Sequence, residues 1–149
     1  MFQETIGKKS TPVKNIVERG AVKKFAEAIG DLAPIYVDEE TGKNSRYKRN
    51  IAPPTFPVTL DYGVIPEMKL PPKGLIHGEQ SYHYRRPLFV GEEVFCHTEV
   101  QNYYEKKGSN GYMGFLVINR YGMDTNDELI FEEKRVIIIN EAVRKGMLV

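Results

Sequence analysis

Residues 50–65 read N-I-A-P-P-T-F-P-V-T-L-D-Y-G-V-I, apolar on nearly every side, with Asp61 as the only charge. A helix with that composition is buried in something and is not laid on a surface. The Pro53-Pro54 pair suits a helix start, because a proline in the first turn lacks an N–H that would have had no partner anyway. The sequence therefore predicts one central, buried helix from Pro54 to Gly63, and the rest of the chain must enclose it.

The flanking segments supply the enclosure. Residues 11–17 are short and β-branched, an edge strand with Pro12 near its start. Residues 18–29 turn helical, with Val22, Phe25, Ala26 and Ile29 on one stripe and Gly30 closing the end. Pro34 sets a turn over residues 31–36, and residues 38–50 are polar and basic. Residues 68–74 connect to a region that alternates like β-strand. Its segments are 75–86, 93–104, 112–121 and 130–139, with a hairpin loop at 106–111 and a polar turn at 124–128. In the first of them, alternation sets Ile76, Tyr82 and Tyr84 on one face and His77, Glu79, Ser81 and His83 on the other.

The expected fold is α+β: a single hot-dog domain over residues 1–149, in which a five-stranded antiparallel sheet, its last four strands a meander, wraps one helix. The continuous apolar run 136–139 asks for cover on both faces, so pairing with a second protomer into a double hot dog is expected. A net charge of +1 gives no global field toward nucleic acid or membrane. The single Cys96 excludes an internal disulfide and fits a reducing compartment. Residues 1–10 hold Glu4, Lys8 and Lys9 and no long apolar run, so neither a signal peptide nor a membrane span is expected. A cytoplasmic protein is the expectation.

Several residues invite a chemical reading. Asp31 follows a glycine at a helix end and precedes a proline turn. It reads either as a carboxylate bonding nearby backbone N–H groups or as an acid or base held on a rigid turn. Asp61 on the central helix is either a helix-end aspartate or, by resemblance to hot-dog thioesterases that carry a carboxylate there, a base or nucleophile. His77 and His83 are six residues apart, about 20 Å along an extended strand, too far for one metal ion. No metal or cofactor is expected, and neither a nucleophile elbow nor a nucleotide-binding loop is present.

The stretch Phe25-Ala26-Glu27-Ala28-Ile29-Gly30-Asp31-Leu32-Ala33-Pro34-Ile35-Tyr36 resembles the signature of MaoC-like dehydratases and (R)-specific enoyl-thioester hydratases, an apolar helix ending in Gly-Asp-x-Asn-Pro-x-His. Ile51-Ala52-Pro53-Pro54-Thr55-Phe56 resembles the start of that family's central helix, and residues 77–88 resemble its first long strand. The wording A-P-P-T-F and H-G-E-Q…R-R-P-L is most similar to the N-terminal-half, or A-type, subunits of (3R)-hydroxyacyl-thioester dehydratases, which do not themselves carry the catalysis.

The resemblance implies a lyase that dehydrates a (3R)-hydroxyacyl thioester reversibly, an Asp and a His sharing one water. Here Tyr36 stands in the histidine's place. A phenol with a pKa of about 10 is a poor base at neutral pH beside an imidazole at about 6.5. Ala33 replaces the motif's asparagine. Pro54 replaces a frequent glycine and so lacks an N–H for the thioester carbonyl, a donor typically worth ~3 kcal/mol. Thr59 falls where the family's site has a hydroxyl. Asp31 and Tyr36 thus form a degenerate pair, with Pro54, Thr55 and Thr59 on the substrate side. Lys43, Arg46 and Arg49 read either as phosphate contacts for coenzyme A or a carrier protein's pantetheine, or as a solvated loop.

The expected role is one half of the hydratase, forming the acyl-binding side for acyl-CoA or an acyl carrier protein as homodimer or heterodimer with a catalytic subunit. The alternatives are a self-sufficient homodimeric hydratase, an acyl-thioesterase using Asp61, and an acyl-thioester binding or sensor protein.

Overall fold

The computed structural model describes residues 2–147. Five antiparallel strands form one sheet: β1 (Val13–Ile16), β2 (Ile76–Tyr84), β3 (Glu93–Gly108), β4 (Gly111–Met123) and β5 (Leu129–Ile139). The spatial order is β1-β3-β4-β5-β2. The last four strands are therefore not a simple meander: β2 lies beyond β5, at the opposite edge from β1. Helices α1 (Arg19–Ala28), α2 (Pro34–Val37) and α3 (Glu39–Asn44) follow β1, and α4 (Glu141–Met147), which the sequence reading did not anticipate, follows β5. Among the described residues no helix is long and apolar enough to cross a membrane.

The expected central helix over residues 54–63 is not there. In its place is one 3-10 turn, Phe56–Thr59, after which Leu60 is already extended at φ −79° and ψ 156°. Three prolines within five residues explain this, because Pro57 cannot donate to a helical ladder that Pro53 and Pro54 have already left open. The burial inferred from composition is partly real, since Phe56, Pro57, Tyr62 and Ile65 are buried, but Val58 and Val64 are exposed. The segment is a half-buried strap and not a cylinder.

The faces of β2 also differ from simple alternation. A bulge at Gly78 makes His77 pair with Ile137 and Glu79 with Val136. One extra residue there exchanges the faces of everything before it. His77 thus shares a face with Tyr82 and Tyr84, while Ile76 joins Glu79, Ser81 and His83. The β3–β4 hairpin is tighter than read, its strands continuing through Lys106 and Lys107 to pair Gly108 with Gly111.

Two apolar clusters sit on the inner face of the sheet. One gathers Val17, Val22, Phe56, Leu88, Val94 and Phe131, and α1 docks onto it through Val22, Ala21 and Phe25. The other gathers Phe2, Ile65, Val100, Leu116 and Ile139, with α4 packed against it through Val143 and Met147. In the first, Gly122 faces Phe131 across β4 and β5, and a Cβ at Gly122 would overlap the ring. Gly122→Ala is expected to cost about 1–3 kcal/mol by overpacking, read as a lower urea midpoint with an unchanged slope.

Candidate acyl-thioester site

The turn that carries Asp31 is built by helix termination. Gly30 takes the left-handed conformation at φ 72°, where glycine avoids the Cβ penalty, and the Asp31 N–H closes back on the Ala26 carbonyl at 2.9 Å. Asp31 is exposed, and its Oδ1 accepts from the Ala33 N–H at 3.2 Å. Pro34 then starts α2, which places Tyr36 half-buried against the first apolar cluster. Burial, and secondarily the Asp31 carboxylate, push the Tyr36 phenol above its usual 10. Electrostatics link the two side chains, but no hydrogen bond joins them among the described residues. As a pair they hold one carboxylate and one neutral phenol.

The buried Asn50, which the sequence reading did not single out, holds this end of the molecule together. Its Nδ2 donates to the carbonyls of Ile35 and Asp38, both at 2.8 Å, and its Oδ1 accepts from Arg19. Gly42 packs against it so closely that a Cβ would lie 2.7 Å from the Asn50 nitrogen.

Beside this lies a cavity of about 370 Å³ bounded by Tyr47, Ala52, Pro54, Tyr84, Arg85 and Arg86. The Pro54 carbonyl accepts from the Tyr84 hydroxyl at 2.6 Å, and burial raises that phenol's pKa far above normal. Pro54 therefore offers the cavity its ring and no N–H. Thr55 is exposed. Thr59 is exposed too, and its hydroxyl is spent on the Phe56 carbonyl at 2.9 Å. Neither threonine borders the cavity.

The basic residues divide. Lys43 is exposed on α3. Arg46 lies over the Tyr47 ring at 4.8 Å, and Arg49 lies over Phe89 at 4.6 Å while donating to the Val90 carbonyl. Arg86 approaches Phe89 at 4.7 Å and holds Glu92 through two bonds of 2.8 Å. Stacking on aromatic faces fixes these guanidiniums, of which only Arg86 borders the cavity. Arg85 and Arg86 border the cavity directly and were not among the expected anion contacts. A pair of arginines ending an otherwise alternating strand was the available signal.

Asp61 is not helical. It sits on the extended strap, its Oδ1 accepting from the Gly63 N–H at 2.9 Å and its backbone clasped by the Asn15 side chain. The histidines stand apart from Asp31 on the sheet: His77 and His83 in β2, and His97 in β3, stacked on Tyr121 at 5.0 Å. Among the described residues no three of His, Cys, Asp or Glu converge on a metal-sized point.

The model of the FAS1-like dehydratase domain region matches residues 4–133. The chain belongs to that family. The fold agrees: this member of the dehydratase family superposes on the C-terminally truncated HadBC (3R-hydroxyacyl-ACP dehydratase) complex of Mycobacterium tuberculosis. That match has a TM-score of 0.75 and 18% identity, covering 93% of this chain and 100% of that one. It also superposes on the ChsH1-ChsH2 complex of the same organism, with a TM-score of 0.72 and 22% identity over 92% of this chain and 85% of that one. In sequence it is 38% identical over 90 residues to a UPF0336 protein of Thermobifida fusca, 56% of this chain and 59% of that protein. The chain spans about three fifths of the length of such curated relatives. The hot-dog class is thus observed, with a strap where the sequence placed a helix.

Proposed function

We propose that this dehydratase-family chain is the acyl-binding half of a two-subunit (3R)-hydroxyacyl-thioester dehydratase, a trans-2-enoyl-thioester hydratase in reverse, and that its partner carries the proton-transferring pair. One observation carries the reading: the group beside Asp31 is a phenol made still less acidic by burial and by the carboxylate itself. General acid–base work at neutral pH favours groups whose pKa lies near the operating pH. Tyr36 is far from that range, and Pro54 has no N–H to hold a thioester oxygen.

Two further features support the role. The sheet is open at β2, a nine-residue edge strand hydrogen-bonded on one side only, to β5, and mostly exposed. An unpaired edge of that length is a template for a neighbouring chain. The solved complexes to which the fold is similar include the HadBC and ChsH1-ChsH2 assemblies. In this reading the cavity beside Pro54 takes the thioester end of acyl-CoA or a carrier-protein acyl group. Arg85 and Arg86 on its wall, with Arg46 stacked on Tyr47 and Arg49 on Phe89, serve the phosphate, and the setting is a reducing cytoplasm.

The test is loss of enoyl absorbance from crotonyl-CoA, alone and after co-expression with an Asp-His-bearing family subunit. The chain alone is expected to show no turnover, and the pair is expected to exceed it by about 10²-fold or more. Turnover by the chain alone would make it a self-sufficient hydratase. Thiol release that depends on Asp61 would make it a thioesterase, and binding without turnover in any pairing would make it a sensor.

A further inference from the structure

Between the two apolar clusters, the inner face of the sheet carries charge where side chains of a hot-dog core are ordinarily apolar. Glu133 is fully buried. Its Oε1 accepts from Gln80 Nε2 at 2.9 Å and from Arg135 Nε at 3.0 Å. Its Oε2 lies 3.5 Å from Arg120 Nη1 and receives no hydrogen bond. Arg120 is pressed onto the Tyr62 ring, 3.5 Å from its centroid, by the strap that replaces the central helix.

Both guanidiniums reach a cavity of about 350 Å³ under that strap. Its other walls are apolar: Leu60, Leu70, Ile118 and Ile137. The Arg120 guanidinium makes no hydrogen bond among the described residues, and Arg135 commits only its Nε. These guanidinium N–H groups are still reachable from solvent, and on an otherwise largely apolar wall they are free to take an acceptor-rich group. Two guanidiniums and one carboxylate leave a single positive charge. Thr98 also borders the space, but its hydroxyl donates to the Asn119 carbonyl at 3.3 Å. A second carboxylate, Asp61, is at the exposed rim, tied to the Gly63 N–H.

We propose that this cavity binds a carboxylate borne on an apolar chain, the carboxylate seated on Arg120 and Arg135 and the chain lying along Leu60, Leu70, Ile118 and Ile137. Planar, forked guanidiniums match a carboxylate's two oxygens. The carboxylate belongs either to a free fatty acid or to the far end of an acyl thioester, and the second source rests on the function proposed above.

Calorimetric titration of the full chain separates the sources with two probe pairs: octanoate against 1-octanol, and suberoyl-CoA against octanoyl-CoA. The carboxylate-bearing probe of at least one pair is expected to bind about tenfold tighter or more. Preference in the first pair alone names the free acid, and preference in the second names the distal end of a thioester. No preference in either pair overturns the proposal. Octanoyl-CoA binding, present or absent, reports separately on the thioester reading. Arg135→Gln leaves Arg120 on Glu133 and is expected to remove most of the preference. Arg120→Lys keeps the buried charge but loses the fork, and is expected to weaken it severalfold. Full preference in both variants, each confirmed as folded by circular dichroism, would also overturn the assignment.

Discussion

Glu133→Ala is expected to lower the unfolding free energy by roughly 3–5 kcal/mol, the range for removing one partner of a buried ion cluster. The variant strands Arg120 and Arg135 on the inner face, both half-buried and both positive, and frees the Gln80 amide that Glu133 had accepted from. The loss comes less from attraction forgone than from charges left without compensation. That distinction is measurable. Replacing Arg120, Glu133 and Arg135 together by Met, Leu and Met is expected to recover most of the stability while abolishing any preference for octanoate over 1-octanol. Urea unfolding followed by circular dichroism reads the first effect. A change within about 0.5 kcal/mol, the usual range for surface sites, would show that the cluster is solvated after all.

Tyr36→His is expected to give the isolated chain a hydratase activity on crotonyl-CoA about 10²-fold above its own background, the lower range for one positioned acid–base group. The imidazole would stand next to Asp31, whose charge already reaches the native phenol. Burial, the larger influence at this position, disfavours the protonated ring while the Asp31 charge favours it, so the imidazole should be held below its ordinary range and activity should fall on acidification. Asp31→Asn in the same background should return the rate to baseline. Adding Pro54→Gly restores a backbone N–H beside the cavity, and a further gain of about 10²-fold is the scale of one such donor. The Tyr84 bond to the residue-54 carbonyl does not depend on the proline ring. If the double variant remains at background, the pair at 31 and 36 is not the remnant of a water-handling site.

Much of the fold was legible because period-2 alternation and glycine-closed helices are local signals. α1, the edge position of β1 and the approximate spans of all five strands follow from Val22, Phe25 and Ala26, from Pro12, and from runs such as Val136 to Ile139. The central helix was misread because apolar composition reports burial, while three close prolines report backbone conformation, and the prolines prevailed. The faces of β2 failed for a different reason. A bulge at Gly78 is a cross-strand event, and nothing within the strand announces which residue will be left unpaired. At the site, Asp31 stood out from its own turn between Gly30 and Pro34, while Tyr36 and Pro54 were noticed only through the family resemblance. The Arg120–Glu133–Arg135 cluster was missed although β5 carries the clue, since Phe131, Glu133, Arg135, Ile137 and Ile139 share one alternation and two of them are charged. Asn50 was missed because its partners are carbonyls brought near only by the folded turn.

The strand order carries a consequence for biosynthesis. β2 is translated well before β5, the one strand it pairs with among the described residues, and β5 is the last of the five in chain order. During synthesis, residues 76–84 therefore wait in solution, with main-chain groups on both sides uncommitted, until residues 129–139 have emerged. Pairings between distant segments form slowly and leave sticky intermediates meanwhile. A ribosome that stalls or terminates before residue 129 releases a chain with no place for that strand, so truncated products of this protein should be insoluble.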